Sequence, residues 1–263
     1  MKAAPTPYIG VSGITDASHA AALAATSRFD RPTMLGVLVS PGTLAGKPSR
    51  MFPKRYPRAD SIASLFPDHD GVLNCVHLSG CTGENLRECL LEVEKVSGPR
   101  LDAIQINCGF WPRMSTLASW RKAKRSRSQP PLLILQISGS CLPRENGDMS
   151  RAAARAARYS KIVDHLLFDQ SNGQGLSLDL ERASEFATLV REQETAASLG
   201  IGFAGGFKPA NAYLATTLLA RGFGDQFSVD AESGLRDDGD DFALDSALAY
   251  VRDVRSAFAQ AAS

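Results

Sequence analysis

Short apolar stretches recur along the chain, and each is about as long as a β-strand. They are mostly continuous runs rich in Val, Ile, Leu and Phe, which is typical of strands buried on both faces of a parallel sheet. The predicted strands are 8–12, 34–39, 72–78, 101–107, 132–138, 164–169, 201–205 and 226–230.

Stretches with apolar residues three and four positions apart follow most of these strands, and that spacing predicts amphipathic helices. The helical stretches are 16–29, 84–96, 151–163, 180–199, 211–222 and 243–260. Polar residues that favour the N-cap predict helix starts at Asp16, Asn85, Asp179 and Asn211. Eight strands alternating with helices favour an α/β fold, a single-domain (β/α)8 TIM barrel over residues 1–263. The alternative is an open, doubly wound sheet.

The charges of the chain are almost balanced, with 29 Lys and Arg against 28 Asp and Glu and a net charge of +1. This balance gives no reason to expect nucleic acid or an anionic membrane as a partner. No apolar run approaches the roughly 20 residues of a membrane helix, and the first residues lack the apolar core of a signal peptide. We therefore expect a cytoplasmic protein, and both a monomer and a homodimer stay open.

The five cysteines are odd in number and none lies in a CxxC pattern, which favours reduced thiols over a disulfide scaffold or a zinc site. The four histidines form no HxxxH or HExxH pattern. We therefore expect no structural metal.

Glycines follow the last two predicted strands. Gly205 and Gly206 end the seventh, and Ser233 and Gly234 follow the eighth. Active sites of (β/α)8 barrels lie at the carboxyl ends of the strands, and phosphate groups often bind between the loops after strands 7 and 8. Backbone N–H groups do the binding there, and glycines let the phosphate approach. We predict a phosphate site at these four residues; the alternative for the glycine pair is a tight turn that needs positive φ.

Two segments are basic. The loop 40–58 after the second strand is long and rich in proline, which is typical of a functional or mobile loop. The segment 120–131 precedes the fifth strand, at the opposite face, and we interpret it as solvated surface.

Five motifs, in this order and spacing, resemble the phosphoribosylanthranilate isomerase family, and the resemblance runs from about Ile9 to Phe258. They are GVSGIT (10–15), PKRY (53–56), FDQSNGQG (168–175), FAGGFKPANA (203–212) and VDAESGLRDD (229–238). The resemblance implies a (β/α)8 barrel that binds a phosphosugar and uses neither a metal nor an organic cofactor. It also implies an Amadori rearrangement, in which an N-ribosylated aromatic amine becomes a 1-amino-1-deoxyketose.

The resemblance implies roles for particular residues. Asp169 matches the acid that protonates the ribose ring oxygen, and Arg55 matches the arginine that contacts the anthranilate. Gly173 and Gly175 match the glycine-rich loop after strand 6. The base of the family is a cysteine of the strand 1 motif, and Ser12 stands at that position.

A serine at the base position is a departure, because a hydroxyl does not supply an anion as a thiol does. Cys108, in the strand 4 motif, is a candidate replacement, and His77 and Glu232 are others. We also expect His77 and Gln105, at the ends of strands 3 and 4, to bind the substrate. For Glu232 the alternative is a surface residue with its side chain turned outward. Three functions stay open: this isomerase reaction, a different phosphosugar reaction, and a binding protein that has lost catalysis. Asp230 is interpreted either as a cap or as an orienting residue.

Overall fold

The eight strands form a closed parallel barrel in chain order. The computed structural model describes residues 4–123, 130–145, 147–169 and 179–261. The strands are β1 (Ile9–Ser12), β2 (Thr33–Val39), β3 (Val72–Ser79), β4 (Ala103–Asn107), β5 (Leu132–Ser138), β6 (His165–Asp169), β7 (Gly200–Ala204) and β8 (Ser228–Ala231). Because β1 pairs with both β2 and β8, the predicted barrel is confirmed and the open sheet is excluded.

Helices lie between the strands, and six of those given next overlap the stretches that the apolar spacing predicts. They are α1 (Ala17–Ala24), α2 (Pro41–Leu44), α3 (Leu86–Ser97), α4 (Met114–Ala123), α5 (Met149–Ala157), α6 (Leu180–Arg191), α7 (Pro209–Phe223) and α8 (Leu244–Ala261). The short α2 lies inside the long loop after β2, and α4 falls partly on the basic segment 120–131. Within the described ranges, no helix has both the length and the apolar character that crossing a membrane requires.

Three of the four predicted helix starts are confirmed. Asp16, Asn85 and Asp179 occupy the N-caps of α1, α3 and α6. The fourth is wrong, because α7 begins at Pro209 with Lys208 as its N-cap. Asn211 instead lies in the first turn, where its side chain bonds back to the preceding loop.

The interpretation of segment 120–131 as solvated surface is wrong for its first two residues. Trp120 is buried, and Arg121 donates hydrogen bonds to the carbonyl oxygens of Ile162 and Pro131 and contacts the carboxylate of Asp164. The arginine thus ties the end of α4 to the segments before β5 and β6. Residues 124–129 lie outside the described part of the chain.

The register of the barrel decides which side chains point inward. Residues that pair across parallel strands face the same side, so Asp169, Ala204, Asp230 and Gly10 form one continuous inward row. Nearer the amino ends of the strands the interior is mainly apolar, and it includes Tyr8, Met34, Cys75, Ala103, Ile134 and Leu167. The polar inward residues therefore collect at the carboxyl end, where a ligand can reach them.

Candidate active site

A cleft opens at the carboxyl ends of the strands. It brings together eight of the residues predicted from the sequence: His77, Gln105, Asp169, Gly205, Gly206, Glu232, Ser233 and Gly234. Asn107, Gln136 and Asp230 line it as well. The cleft has two parts, which we call the glycine loops (Gly205, Gly206, Ser233 and Gly234) and the carboxylate cluster (Asp169, Asp230 and Glu232).

The backbone of the glycine loops explains why glycine stands there. Gly205 and Gly206 have φ angles of 94° and 74°, a region that side chains with a Cβ rarely enter. A Cβ on Gly234 would lie 2.1 Å from the carbonyl oxygen of Phe207, so the loop after β8 packs directly on the loop after β7. The turn that needs positive φ is therefore present, and the phosphate site at the same residues stays a prediction.

Asn211 fixes the shape of the loop between β7 and α7. Its Oδ1 accepts a hydrogen bond from the backbone nitrogen of Lys208 at 2.9 Å, and its Nδ2 donates to the carbonyl oxygen of Gly206 at 2.9 Å. One side chain thus holds the loop on both sides of its turn.

Two glutamines orient Asp169 from below. Gln105 Nε2 donates to Gln136 Oε1 at 3.0 Å, and Gln136 Nε2 donates to Asp169 Oδ2 at 2.7 Å. All three side chains are buried. The chain of donors holds one oxygen of the Asp169 carboxyl in a fixed direction at the floor of the cleft.

Asp230 is the buried carboxyl group nearest to Ser12. The Ser12 hydroxyl donates to Asp230 Oδ1 at 3.0 Å, and both residues are buried. Burial raises the pKa of Asp230 to about 7; the carboxylates of Glu232 and Asp169 also raise it, whereas hydrogen bonds from Ser12 and Gln105 lower it. Ser12 is thus covered and interacts with a carboxyl group that titrates near neutrality.

The sequence left Asp230 open between a cap and an orienting residue and did not predict it as a catalytic residue. Its side chain fits because residue 10 is glycine: a Cβ there would lie 2.5 Å from Asp230 Oδ1. A signal was present, since Asp230 ends the eighth strand beside Ser233 and Gly234. The pairing of Asp230 with position 10, however, follows from the closure of the barrel.

Glu232 faces the cleft and bridges two other predicted site residues. Its Oε1 accepts a hydrogen bond from Arg55 Nη1 at 3.0 Å, and its Oε2 lies 3.7 Å from His77 Nδ1. The interpretation of Glu232 as an outward-facing surface residue is therefore wrong. Burial lowers the pKa of the His77 imidazole, so the ring is neutral at pH 7.

Arg55 lies beside the cleft and binds the loop after β8. Its Nη2 and Nε donate to Asp240 at 2.7 and 2.9 Å, and its Nη1 also donates to Ser233 Oγ at 3.1 Å. Next to it, Lys54 pairs with Asp241 at 2.7 Å. These ion pairs fasten the long loop 40–58 to the loop after β8.

The structure does not place two of the predicted catalytic residues in the lining of the cleft. Ser12 lies beneath it, and the half-buried Cys108 packs against the hydrophobic core near Cys81. The hydrogen bond with Cys108, together with burial, raises the pKa of the Cys81 thiol. Gly173 and Gly175 lie outside the described residues. Among the residues that the structure describes, no group of three His, Cys, Asp or Glu residues is arranged to hold a metal.

Comparison with known proteins gives a fold but no family. No protein-family model and no curated protein sequence matches the chain. The structure is similar to phosphoribosylanthranilate isomerases. A monomeric form of the dimeric enzyme from Thermotoga maritima aligns over 95% of this chain and 99% of its own, with a TM-score of 0.62 and 15% identity.

Two further solved structures show the same likeness. A phosphoribosylanthranilate isomerase in complex with reduced 1-(o-carboxyphenylamino)-1-deoxyribulose 5-phosphate aligns over 95% of this chain and 99% of its own, with a TM-score of 0.60 and 15% identity. Triosephosphate isomerase from Bartonella henselae aligns over 95% and 100%, with a TM-score of 0.56 and 10% identity. The likeness confirms the resemblance indicated by the motifs and, at these identities, establishes a shared fold.

Proposed function

We propose that this protein is a phosphosugar isomerase of the phosphoribosylanthranilate isomerase kind, which opens a phosphoribosyl amine and rearranges it to a 1-amino-1-deoxyketose. The observation that carries the proposal is the presence of two buried carboxyl groups, Asp169 and Asp230, in one cleft beside the glycine loops. This reaction needs one acid and one base at a sugar that is anchored by its phosphate.

The phosphate binds at the glycine loops in this proposal. Gly205, Gly206, Ser233 and Gly234 line the cleft, and Asn211 holds the first of the two loops in shape. Glycines leave room for a phosphoryl oxygen to reach the backbone.

Asp169 acts as the acid. Its proton goes to the ring oxygen of the ribose as the C1–O bond breaks and the amine nitrogen forms an iminium with C1. Because Gln136 fixes one carboxyl oxygen, the group is held in one orientation toward the bound sugar.

Asp230 takes the place of the missing cysteine as the base. It removes the proton from C2 of the iminium, giving an enolamine, which becomes the ketone when C1 takes up a proton and the C2 hydroxyl loses one. A pKa of about 7 leaves a substantial carboxylate fraction at neutral pH and keeps the group basic enough to accept a proton. Ser12 is then a positioning residue that donates to this base.

The test is conversion of 5-phosphoribosyl amines, made from several aromatic amines with and without a carboxylate, in D2O. We expect deuterium at C1 of the aminoketose, seen by proton NMR, and a loss of roughly 10²–10⁴-fold in rate for Asp169→Asn with binding of ribose 5-phosphate retained. Glu194→Gln, at an exposed position in the segment that precedes β7, is the control for the loss of one charge.

Two outcomes contradict the proposal. Turnover that Asp169→Asn leaves unchanged would remove Asp169 from the mechanism. Binding of ribose 5-phosphate without conversion of any amine would favour the binding protein that has lost catalysis.

A further inference from the structure

Arg55 matches the arginine that contacts the substrate's aromatic carboxylate in the family, but its guanidinium is already occupied. Its Nε and Nη2 donate hydrogen bonds to Asp240, and its Nη1 donates to Glu232 and Ser233. The centroid of the Phe52 ring lies 4.3 Å from Cζ and covers one face. The side chain is only 11% exposed. A ligand carboxylate would have to displace two protein carboxylates in order to bind it.

The group that meets a ligand in this part of the cleft is Glu232. Among the described residues, Glu232 lines the cleft and Arg55 does not. The other two members of the carboxylate cluster, Asp169 and Asp230, lie in the same cleft. Because charges repel more strongly where protein excludes water, a carboxylate on the ligand is disfavoured beside Glu232.

A separate observation points to a ligand that donates hydrogen bonds. Gln105 lines the cleft and is 1% exposed, and its Oε1 has no hydrogen-bond partner in the part of the chain that the structure describes. The Nε2 of Gln105 donates a hydrogen bond to Gln136 Oε1. A buried acceptor without a donor costs stability unless a bound molecule supplies the donor. Because the Gln105 side chain is neutral, its Oε1 favours a ligand that donates a hydrogen bond, whatever the charge of that ligand.

We infer that the cleft takes a phosphosugar whose second half carries hydrogen-bond donors, an amine or hydroxyl groups, and that it discriminates against one with a carboxylate at that end. The inference rests on the proposed phosphosugar function and names its substrate class. Hydrogen-bond acceptors line this part of the cleft. The guanidinium of Arg55, which would otherwise bind the carboxylate of an anthranilate, is paired with Glu232 and Asp240.

Three matched compounds test this inference by titration calorimetry. The first is reduced 1-(o-carboxyphenylamino)-1-deoxyribulose 5-phosphate, the second lacks the carboxylate, and the third carries an aminomethyl group in its place. We expect the carboxylate compound to bind about tenfold or more weakly than the unsubstituted phenyl compound, and the aminomethyl compound to bind most tightly. A phenyl compound bound as tightly as the aminomethyl one would overturn the preference for hydrogen-bond donors and leave only the discrimination against a carboxylate.

Glu232→Gln separates this preference from other features of the cleft. It removes one negative charge and keeps the shape, so we expect tighter binding of the carboxylate compound and weaker binding of the aminomethyl compound. Glu194→Gln, with the same change in charge at an exposed site, is expected to leave the order of the three affinities unchanged.

The outcomes distinguish the inference from the function on which it rests. If the carboxylate compound binds the natural protein as tightly as the phenyl compound, or more tightly, the inference is overturned while the phosphosugar function stands. An order of affinities that Glu232→Gln does not alter would overturn the assignment to Glu232. If neither ribose 5-phosphate nor any of the three compounds binds, the proposed function fails, and the inference fails with it.

Discussion

The glycine loops and the carboxylate cluster lie in one cleft, but different forces shape them. The glycine loops are defined by their own backbone: two consecutive residues have positive φ, and Gly234 contacts the neighbouring loop where no Cβ fits. The carboxylate cluster is defined by side chains from β6 and β8 and the residue after β8, and their surroundings come from β1, β5 and the loop after β2. The turn at Gly205 and Gly206 is therefore encoded locally, whereas the contact at Gly234 and the carboxylate cluster depend on the closure of the barrel.

The strongest test of this difference is Gly234→Ala. A methyl group 2.1 Å from the Phe207 carbonyl oxygen forces the two loops apart, and we expect a loss of roughly 3 kcal/mol in the free energy of unfolding. Binding of ribose 5-phosphate should fall as well. Chemical denaturation and calorimetry measure the two effects.

Gly222→Ala is the matched control for that variant. Gly222 lies in α7, is exposed, and has nothing within 4 Å of the position of a Cβ. Alanine is preferred to glycine inside a helix, so a gain of up to about 1 kcal/mol is expected. Equal stabilities for Gly234→Ala and Gly222→Ala would show that the contact between the loops is not tight.

Asp230→Asn tests the carboxylate cluster through pH. The pKa of Asp230 is about 7 in the folded state, above the ordinary value near 4 of an unfolded chain. Between these values the folded protein holds a proton that the unfolded chain has released, so Asp230 stabilises the protein least at high pH. Relative to the natural protein, the variant should gain on the order of 1 kcal/mol per pH unit from about pH 4 to 7, and then level off.

Denaturant titrations at a series of pH values measure this gain. Asp70→Asn, at an exposed position before β3, controls for the change in charge alone. A stability difference between Asp230→Asn and the natural protein that is flat across this range would contradict a raised pKa at Asp230.

Ser12→Ala should have the smallest effect. The Ser12 hydroxyl lowers the pKa of Asp230 by donating to it, so its removal should move that pKa further upward. Carbon-13 NMR of the Asp side-chain carboxyl groups measures the midpoint directly. Ser12→Cys retains a weaker donor and should give an intermediate value; an unchanged midpoint in Ser12→Ala would show that the hydrogen bond has no influence on the base.

The positions of most strands and helices could be predicted from short-range patterns in the sequence. Apolar runs fixed where the strands lie, and N-cap residues such as Asp16 and Asp179 marked helix starts correctly. The prediction of Asn211 as an N-cap was wrong because the sequence does not distinguish an asparagine at the cap from one in the first turn. The hydrogen bond from Asn211 to the Gly206 carbonyl oxygen, which the structure shows, does distinguish them. The basic segment 120–131 was misread for a similar reason, since charge alone does not reveal that Arg121 contacts Asp164.

The sequence by itself determined the barrel and the position of the glycine loops at the carboxyl ends of its strands. Each of these depends on periodicity or on backbone preferences that a few neighbouring residues express. Only the tertiary structure decided that Asp230 occupies the space over Gly10 and that Glu232 stands between Arg55 and His77. Those contacts join residues more than 150 positions apart, and the pKa of a carboxyl group depends on its burial and its neighbours, which exist only when the barrel has closed.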